Sequence, residues 1–152
     1  MANQNGVYGR QAVSNATTNA APTSVARSTG WVSPDNGNLF PVAGFGYGSN
    51  STQPTGFLND VWDYDLSGGQ WIWWKDSTDV SQTSTYITRP VNFFQLSYTN
   101  NNVGARRGAA RWLPGPSGCV CMFGGEGYAG SGGPHGHLKM FGGTCRFRNG
   151  VT

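Results

Sequence analysis

The stretch GFLNDVWDYDLSGGQWIWWKD, residues 56–76, carries four of the six tryptophans of this 152-residue chain. It reads as a β-hairpin, because two segments rich in aromatic and β-branched residues flank a Ser-Gly-Gly turn. Side chains alternate along the first segment, where Trp62 and Tyr64 share one face and Val61 and Asp63 share the other. This segment is therefore predicted to be a strand with one strongly aromatic face.

The second segment of the hairpin, QWIWWK, is apolar on both faces. Trp71 and Trp73 point to one side of the predicted strand, and Ile72 and Trp74 point to the other. A two-stranded ribbon cannot bury that much apolar surface alone, so we expect the hairpin to lie between other sheets.

The composition predicts an all-β protein with short strands and long loops. Glycine occurs 24 times, only 37% of the residues are apolar, and no apolar stripe has helical spacing. No apolar run approaches the ~20 residues that span a bilayer. The start, MANQNGVYGR, lacks the apolar region of a secretory signal. We therefore expect neither a membrane segment nor an export signal in this chain.

Charge and ligand spacing predict neither nucleic-acid binding nor a metal or other cofactor. The net charge is +3, and the basic residues form no dense stripe. Cys119 and Cys121 share one face of an apparent strand, where they cannot bridge each other. Together with His135, His137 and Cys145 they match no known spacing for structural zinc.

Two further motifs fail in their sequence context. Residues 125–130 match the dinucleotide pattern Gly-x-Gly-x-x-Gly, but the following SGGPHGH cannot begin a helix. Asp60, Asp63 and Asp65 lack the glycine turn and terminal glutamate of a calcium loop. We expect Asp60 to cap a turn and the other two aspartates to lie at a sheet edge.

The chain contains an internal repeat. GWVSPDNGNLFPVAGFGY, residues 30–47, aligns without a gap with RWLPGPSGCVCMFGGEGY, residues 111–128, at an offset of 81. Two upstream anchors repeat at offsets of 79 and 78: Ala26-Arg27 with Ala105-Arg106, and residues 3–8 with residues 81–86. Three anchors with one period of about 80 residues predict a repeat architecture.

The repeat resembles the kelch motif, the four-stranded blade of a β-propeller. The resemblance lies in MFGGEGY at 122–128, its degenerate copy PVAGFGY at 41–47, and LNDVWDYD at 58–65 followed by Trp71. A kelch repeat is about 50 residues long, so the longer period here places the surplus in the linkers. The resemblance covers residues 1 to about 138.

This resemblance implies an all-β fold with about one and a half blades. The expected divisions are an inter-blade linker at 1–27, a complete blade at 28–75, a second linker at 76–106, the first half of a second blade at 107–138, and an atypical tail at 139–152. The expected strands are 28–33, 39–44, 60–65 and 70–75 in one sheet and 107–113 and 119–123 in the other. The two sheets are expected to stack face to face.

The resemblance also implies a set of structural motif residues and a function. The motif residues are Gly44, Gly124, Gly125, Asn59, Asp60, Trp62, Tyr64, Trp71, Arg27 and Arg106. The two arginines correspond to the one that often opens a kelch blade, and they are expected to brace a neighbouring blade through backbone carbonyls. The expected function is a binding scaffold, not an enzyme, that holds a protein partner or a glycan on the loops at residues 47–57 and 76–104. The alternative is a piece of a copper enzyme of the galactose-oxidase type, which is also built on kelch blades.

The number of blades in this chain leads to one more expectation. A propeller closes with about 4–8 blades, so we expect this chain to be a piece of a longer repeat protein. The outer face of the tryptophan hairpin and an unpaired strand at 119–123 would then be exposed, and the isolated chain would self-associate through them.

Overall fold

The computed structural model describes residues 5–13, 28–50, 52, 55–85, 102–112, 119–130, 134–138 and 141–145. It contains ten strands: β1 Thr29–Val32, β2 Leu39–Tyr47, β3 Thr55–Asp65, β4 Gln70–Lys75, β5 Arg106–Arg107, β6 Ala110–Trp112, β7 Cys119–Phe123, β8 Glu126–Gly127, β9 Gly136–His137 and β10 Phe141–Cys145. This part of the chain holds no helix that could cross a membrane.

The first sheet is an antiparallel meander in the order β1-β2-β3-β4. Its four strands lie where the sequence predicts four strands, and the hairpin of β3 and β4 places Trp62 opposite Trp73 and Tyr64 opposite Trp71. The turn between them closes through a hydrogen bond from the Gly69 amide to the Asp65 carbonyl at 2.8 Å. The predicted alternation of faces therefore holds in the hairpin.

The middle strands of the first sheet are longer than predicted. The pairing of β2 with β3 shifts register between Val42 and Gly44 and then continues to Tyr47. Ala43 and Gly44 take positive φ values of 56° and 122° at this point. At this step Ala43 alone lies opposite two residues of β3, Asn59 and Asp60, so the irregularity interrupts a ladder that continues and is not the strand end expected at residue 44.

The second sheet has three strands in the order β10-β7-β6. β7 pairs with β6 along one edge and with β10 along the other. The expectation of an unpaired strand at 119–123 is therefore wrong. The segment Phe141–Cys145, assigned from the sequence to an atypical tail, takes the position in the second sheet that β3 has in the first.

A small third sheet, in the order β5-β8-β9, continues the second one beyond Gly124 and Gly125. The predicted strand at 107–113 is divided into β5 and β6, because Gly108 takes a φ of 66° between them. In the second repeat, β7 and β8 together correspond to β2 of the first, and β9 and β10 together correspond to β3.

The strand pairs of the two halves repeat at offsets of 80 or 81. The corresponding pairs are Thr29–Val42 with Ala110–Phe123, Trp31–Phe40 with Trp112–Cys121, Val42–Val61 with Phe123–Phe141, and Gly46–Gly56 with Gly127–Gly136. Because register decides which face every side chain occupies, the two halves present equivalent positions on equivalent faces.

The core lies between the two larger sheets. Trp31 and Phe40 stack with ring centroids 4.9 Å apart on the inner face of the first sheet, beside Val42 and Val61. Met122 of β7 joins this cluster from the second sheet and is fully buried. Val103 and Ala109 also pack there from the second half of the chain. The described residues thus form an all-β, antiparallel protein without a helix, in which two sheets share one core.

Candidate binding surface

Two loops expected to form a binding surface meet at one end of the first sheet. The Ser49 amide donates a hydrogen bond to the Thr78 carbonyl at 2.8 Å, and the Ser81 amide donates to the Phe57 carbonyl at 2.7 Å. The Ala105 amide donates to the Gln82 carbonyl at 2.8 Å, which links these loops to the second half of the chain. The structure therefore brings together the described parts of the segments that the sequence singled out.

Aromatic rings from both halves of the chain converge beneath these loops. Phe45 and Phe57 meet edge to face with centroids 5.4 Å apart across β2 and β3. Phe57 also contacts Tyr128 at 6.0 Å and His135 at 5.2 Å, and these two rings lie 5.8 Å from each other. Edge-to-face pairs of this kind add to the free energy of burial. They fix the position of the Tyr128–His135 pair relative to the first sheet.

Arg107 joins the aromatic rings to a charged group. Its guanidinium lies 5.3 Å from the centroid of Phe45 and 5.4 Å from that of Phe57, within the range of cation–π attraction. Its Nε and Nη2 donate to Glu126 Oε2 at 2.9 and 2.7 Å. These hydrogen bonds lower the pKa of Glu126, so this carboxyl stays ionised at neutral pH.

An open cleft of about 330 Å³ lies beside this ion pair. It is lined by Arg107, Gly108, Gly125, Glu126, His137 and Leu138. The lining combines the charged groups of Arg107 and Glu126 with the imidazole of His137, and the rings of the aromatic cluster lie outside it. The described residues include no group of three or more His, Cys, Asp or Glu side chains that could hold a metal ion. The charged and hydrogen-bonding groups of the cleft suit recognition of a polar ligand.

Asp60 is buried on the first sheet and does not cap a turn as expected. The Tyr8 hydroxyl and Trp62 Nε1 both donate to its Oδ2, each at 2.7 Å. Burial raises the pKa of Asp60, while the hydrogen bonds from Trp62 and Tyr8 oppose that rise. Burial is also the largest cause of the raised pKa of Tyr8. This network ties the segment before β1 to the tryptophan hairpin.

The Tyr8 ring completes that attachment. Its centroid lies 5.0 Å from Trp62 and 5.5 Å from Trp73. The repeat of residues 3–8 at 81–86 marks Tyr8 in the sequence, but that signal carries no information about its partner. Tyr86, its counterpart, lies outside the described residues.

Two other carboxylates lie in buried positions. Asp63 is 1% exposed and its Oδ1 accepts a hydrogen bond from Asn38 Nδ2 at 2.9 Å, so its expected place at a sheet edge is wrong. Asp76 follows β4 with a φ of 72° and a side chain 1% exposed. Among the described residues neither of its oxygens has a hydrogen-bond partner, and Lys75 Nζ is 4.0 Å from Oδ1. Burial raises the pKa of Asp76 to about 7, an effect that Lys75 opposes.

Of the two motif arginines, the structure describes one. Arg27 lies outside the described residues. Arg106 is fully buried, and it donates from Nε to the Gly104 carbonyl at 2.9 Å and from Nη1 to the Gly124 carbonyl at 3.3 Å. Both carbonyls belong to its own half of the chain. Asn59, another motif residue, is fully buried and accepts a hydrogen bond from the Ser77 amide at 3.3 Å.

The glycine doublet Gly124-Gly125 has a backbone conformation that favours glycine. Gly124 and Gly125 have φ values of 72° and 88°, in the region that disfavours side chains. A Cβ on Gly125 would lie 2.7 Å from the Arg107 carbonyl oxygen. On Gly124 the nearest atom would be the Leu138 carbonyl oxygen at 3.4 Å. Position 125 therefore requires glycine for two reasons, its positive φ and the lack of space for a Cβ.

Comparison with known proteins found no matching family model, no similar curated protein and no similar solved structure.

Proposed function

We propose that the chain is a segment of a β-propeller built from kelch-like repeats, and that it serves as a scaffold that binds a protein partner or a glycan through its loops. The observation that carries this proposal is the repeat of strand register between two stacked sheets. Radial repetition of such sheets is how a propeller forms. The motif PVAGFGY lies in β2 and LNDVWDYD lies in β3, whereas MFGGEGY extends from β7 through the two glycines to the residue after β8.

The position of the aromatic cluster supports a binding role. Phe57 lies in β3, Tyr128 directly follows β8, and His135 directly precedes β9, so strands hold all three rings in place. Binding residues occur disproportionately on loops that a rigid scaffold positions. His135 is exposed, so a ligand could contact it without unfolding of either sheet.

The proposal is tested by binding. Immobilised glycans and peptides are screened with the purified chain, and each positive ligand is measured again by calorimetry with Tyr128→Ala and His135→Ala. We expect each variant to weaken binding about tenfold, because a contact worth about 1.4 kcal/mol is lost. Leu66→Ala is the matched control, since Leu66 is exposed at the opposite end of β3.

Two outcomes contradict the proposal: an absence of any ligand in the screen, or ligands whose affinity is insensitive to both variants. A copper titration followed by absorbance tests the copper-enzyme alternative, which rests on the family resemblance alone. Specific, saturable copper binding would favour that alternative over the scaffold.

A further inference from the structure

The first and second sheets make one interface with each other, and it uses opposite faces of the two repeats. The first sheet contributes its inner face, where Trp31 is 5% exposed and Phe40 and Val42 are each 1% exposed. The second sheet contributes the face that carries Met122. In the repeat, Met122 corresponds to Pro41, whose side chain points away from the inner face of the first sheet.

The second sheet has an outer face equivalent to the buried inner face of the first. Trp112, Cys121 and Phe123 occupy the positions of Trp31, Phe40 and Val42 in the same register. Yet Trp112 is 39% exposed and Phe123 is 42% exposed. This outer face thus has the side-chain pattern of a surface that the first sheet buries.

The first sheet has the complementary outer face. Around Pro41 lie Val32 and Leu39, which are 55% and 40% exposed. An apolar groove of about 350 Å³ runs along β1 and β2 here, and Trp71 and Arg111 also line it. This outer face is equivalent to the one that the second sheet uses, through Met122, to cover the core.

We propose that a second copy of this chain covers these surfaces in a head-to-tail arrangement. The outer face of the second sheet in one copy, with Trp112 and Phe123, packs on the outer face of the first sheet in the next, with Val32 and Leu39. A second copy is the partner that fits, because each exposed face is equivalent to one side of the interface between the first and second sheets. The same pair of faces can therefore meet between two copies. No new kind of contact is needed.

A head-to-tail contact has consequences for the size of the assembly. It uses two different surfaces, so it forms closed rings if its rotation closes and open filaments if it does not. Each copy adds two large sheets, and a propeller closes with about 4–8 sheets, so a ring would contain about two to four copies. Only this copy number rests on the proposed function; the two surfaces follow from register and burial.

Sedimentation equilibrium with two complementary variants tests the proposal. Leu39→Glu places a charge on the outer face of the first sheet, and Phe123→Glu places one on the outer face of the second. The wild-type chain should associate with increasing concentration, whereas each variant alone should remain a monomer. An equimolar mixture of the two variants should form a one-to-one dimer and nothing larger, because each retains the surface that the other has lost.

Leu66→Glu is the matched control, since this exposed leucine lies in the β3–β4 turn outside both faces, and it should associate as the wild type does. Near-ultraviolet circular dichroism checks folding, and Val32→Glu replaces Leu39→Glu if that variant unfolds. A wild-type chain that stays monomeric, variants that still associate alone, or a mixture without a dimer would each overturn the proposal. A loss of glycan or peptide binding without a change in association would bear on the proposed function only.

Discussion

At the scale of single residues, the two glycines after β7, Gly124 and Gly125, differ in whether their positions can accommodate a Cβ atom. The first sheet carries Ala43 at the position of Gly124, and that alanine has a φ of 56°. The fold therefore already accommodates a Cβ at the first position of the doublet in one of its two copies. At the second position both copies carry glycine, Gly44 and Gly125.

This comparison yields a prediction about Gly124→Ala and Gly125→Ala. Gly124→Ala should lower the free energy of unfolding by about 1–2 kcal/mol, the cost of a left-handed conformation for a residue with a Cβ. Gly125→Ala should cost clearly more, because its Cβ would also clash with the Arg107 carbonyl oxygen at 2.7 Å. Urea unfolding of both variants measures the difference. Equal effects at the two positions would contradict the assigned geometry.

Asp76 provides a second prediction at this scale, about pH. Its pKa is 3.8 in a model compound and about 7 in the folded chain. Between these values the folded state binds the proton more strongly than the unfolded state, so the stability that Asp76 contributes falls as the pH rises from about 4 to 7. Asp60 acts in the same direction, because its pKa is also raised.

Asp76→Asn removes this charge while keeping a side chain that tolerates positive φ. The variant should match the wild type near pH 4 and should be more stable near pH 8, by on the order of 4 kcal/mol, since each unit of the rise in pKa from 3.8 to about 7 corresponds to about 1.4 kcal/mol. Chemical denaturation at both pH values tests the sign. A wild-type chain that becomes more stable from pH 5 to pH 7 relative to Asp76→Asn would refute it.

At the scale of elements, the β3–β4 hairpin is held by aromatic contacts on one face and by the shared core on the other. Trp62 is 1% exposed and contacts Tyr8 and Trp71 with centroids at 5.0 and 6.3 Å. Trp74, on the opposite face, packs against the cluster that contains Met122. The hairpin thus connects the segment before β1 with the second sheet.

Truncation of the hairpin's most buried tryptophan should therefore be costly. Trp62→Ala should lower the free energy of unfolding by about 3–5 kcal/mol, the range for a large aromatic residue removed from a core. Trp73→Ala should cost less, since Trp73 is only half-buried, and Leu66→Ala in the exposed turn should stay within about 0.5 kcal/mol. Thermal and urea unfolding give all three values. Small, equal changes would show that the hairpin is not packed.

The sequence predicted the elements where local pattern decides structure. Alternation placed Trp62 and Tyr64 on one face, and the turn residues fixed the hairpin. The sequence could not predict the burial of Asp60. The hydrogen-bond donor of this carboxylate, Tyr8, lies 52 residues away in the chain, so only the tertiary fold brings the two together. The sequence also failed to predict β10, because FGGTC lacks the tryptophan motif found in β3, and its pairing with β7 is a long-range property.

At the scale of the whole molecule, the two sheets share one core, so they should unfold together. Met122 offers a direct test of this contact. It belongs to the second sheet, is fully buried, and packs against core residues of the first sheet. Met122→Ala should lower the free energy of unfolding by about 2–5 kcal/mol. Tryptophan fluorescence and far-ultraviolet circular dichroism should still report one coincident transition. Two separate transitions in the wild-type chain would show that the sheets are independent units.

The last prediction concerns the strand that closes the second sheet. A chain ending at Leu138 loses β10, which leaves the hydrogen-bonding edge of β7 without its partner. Unpaired edges invite intermolecular pairing, so this truncation should both destabilise the chain and promote irreversible aggregation. A chain ending at Cys145 keeps every ladder of the described residues and is the matched control. Light scattering during a thermal ramp distinguishes the two. If both truncations behaved like the full chain, β10 would contribute nothing to the second sheet, and the division of the chain at residue 138 would be the better description.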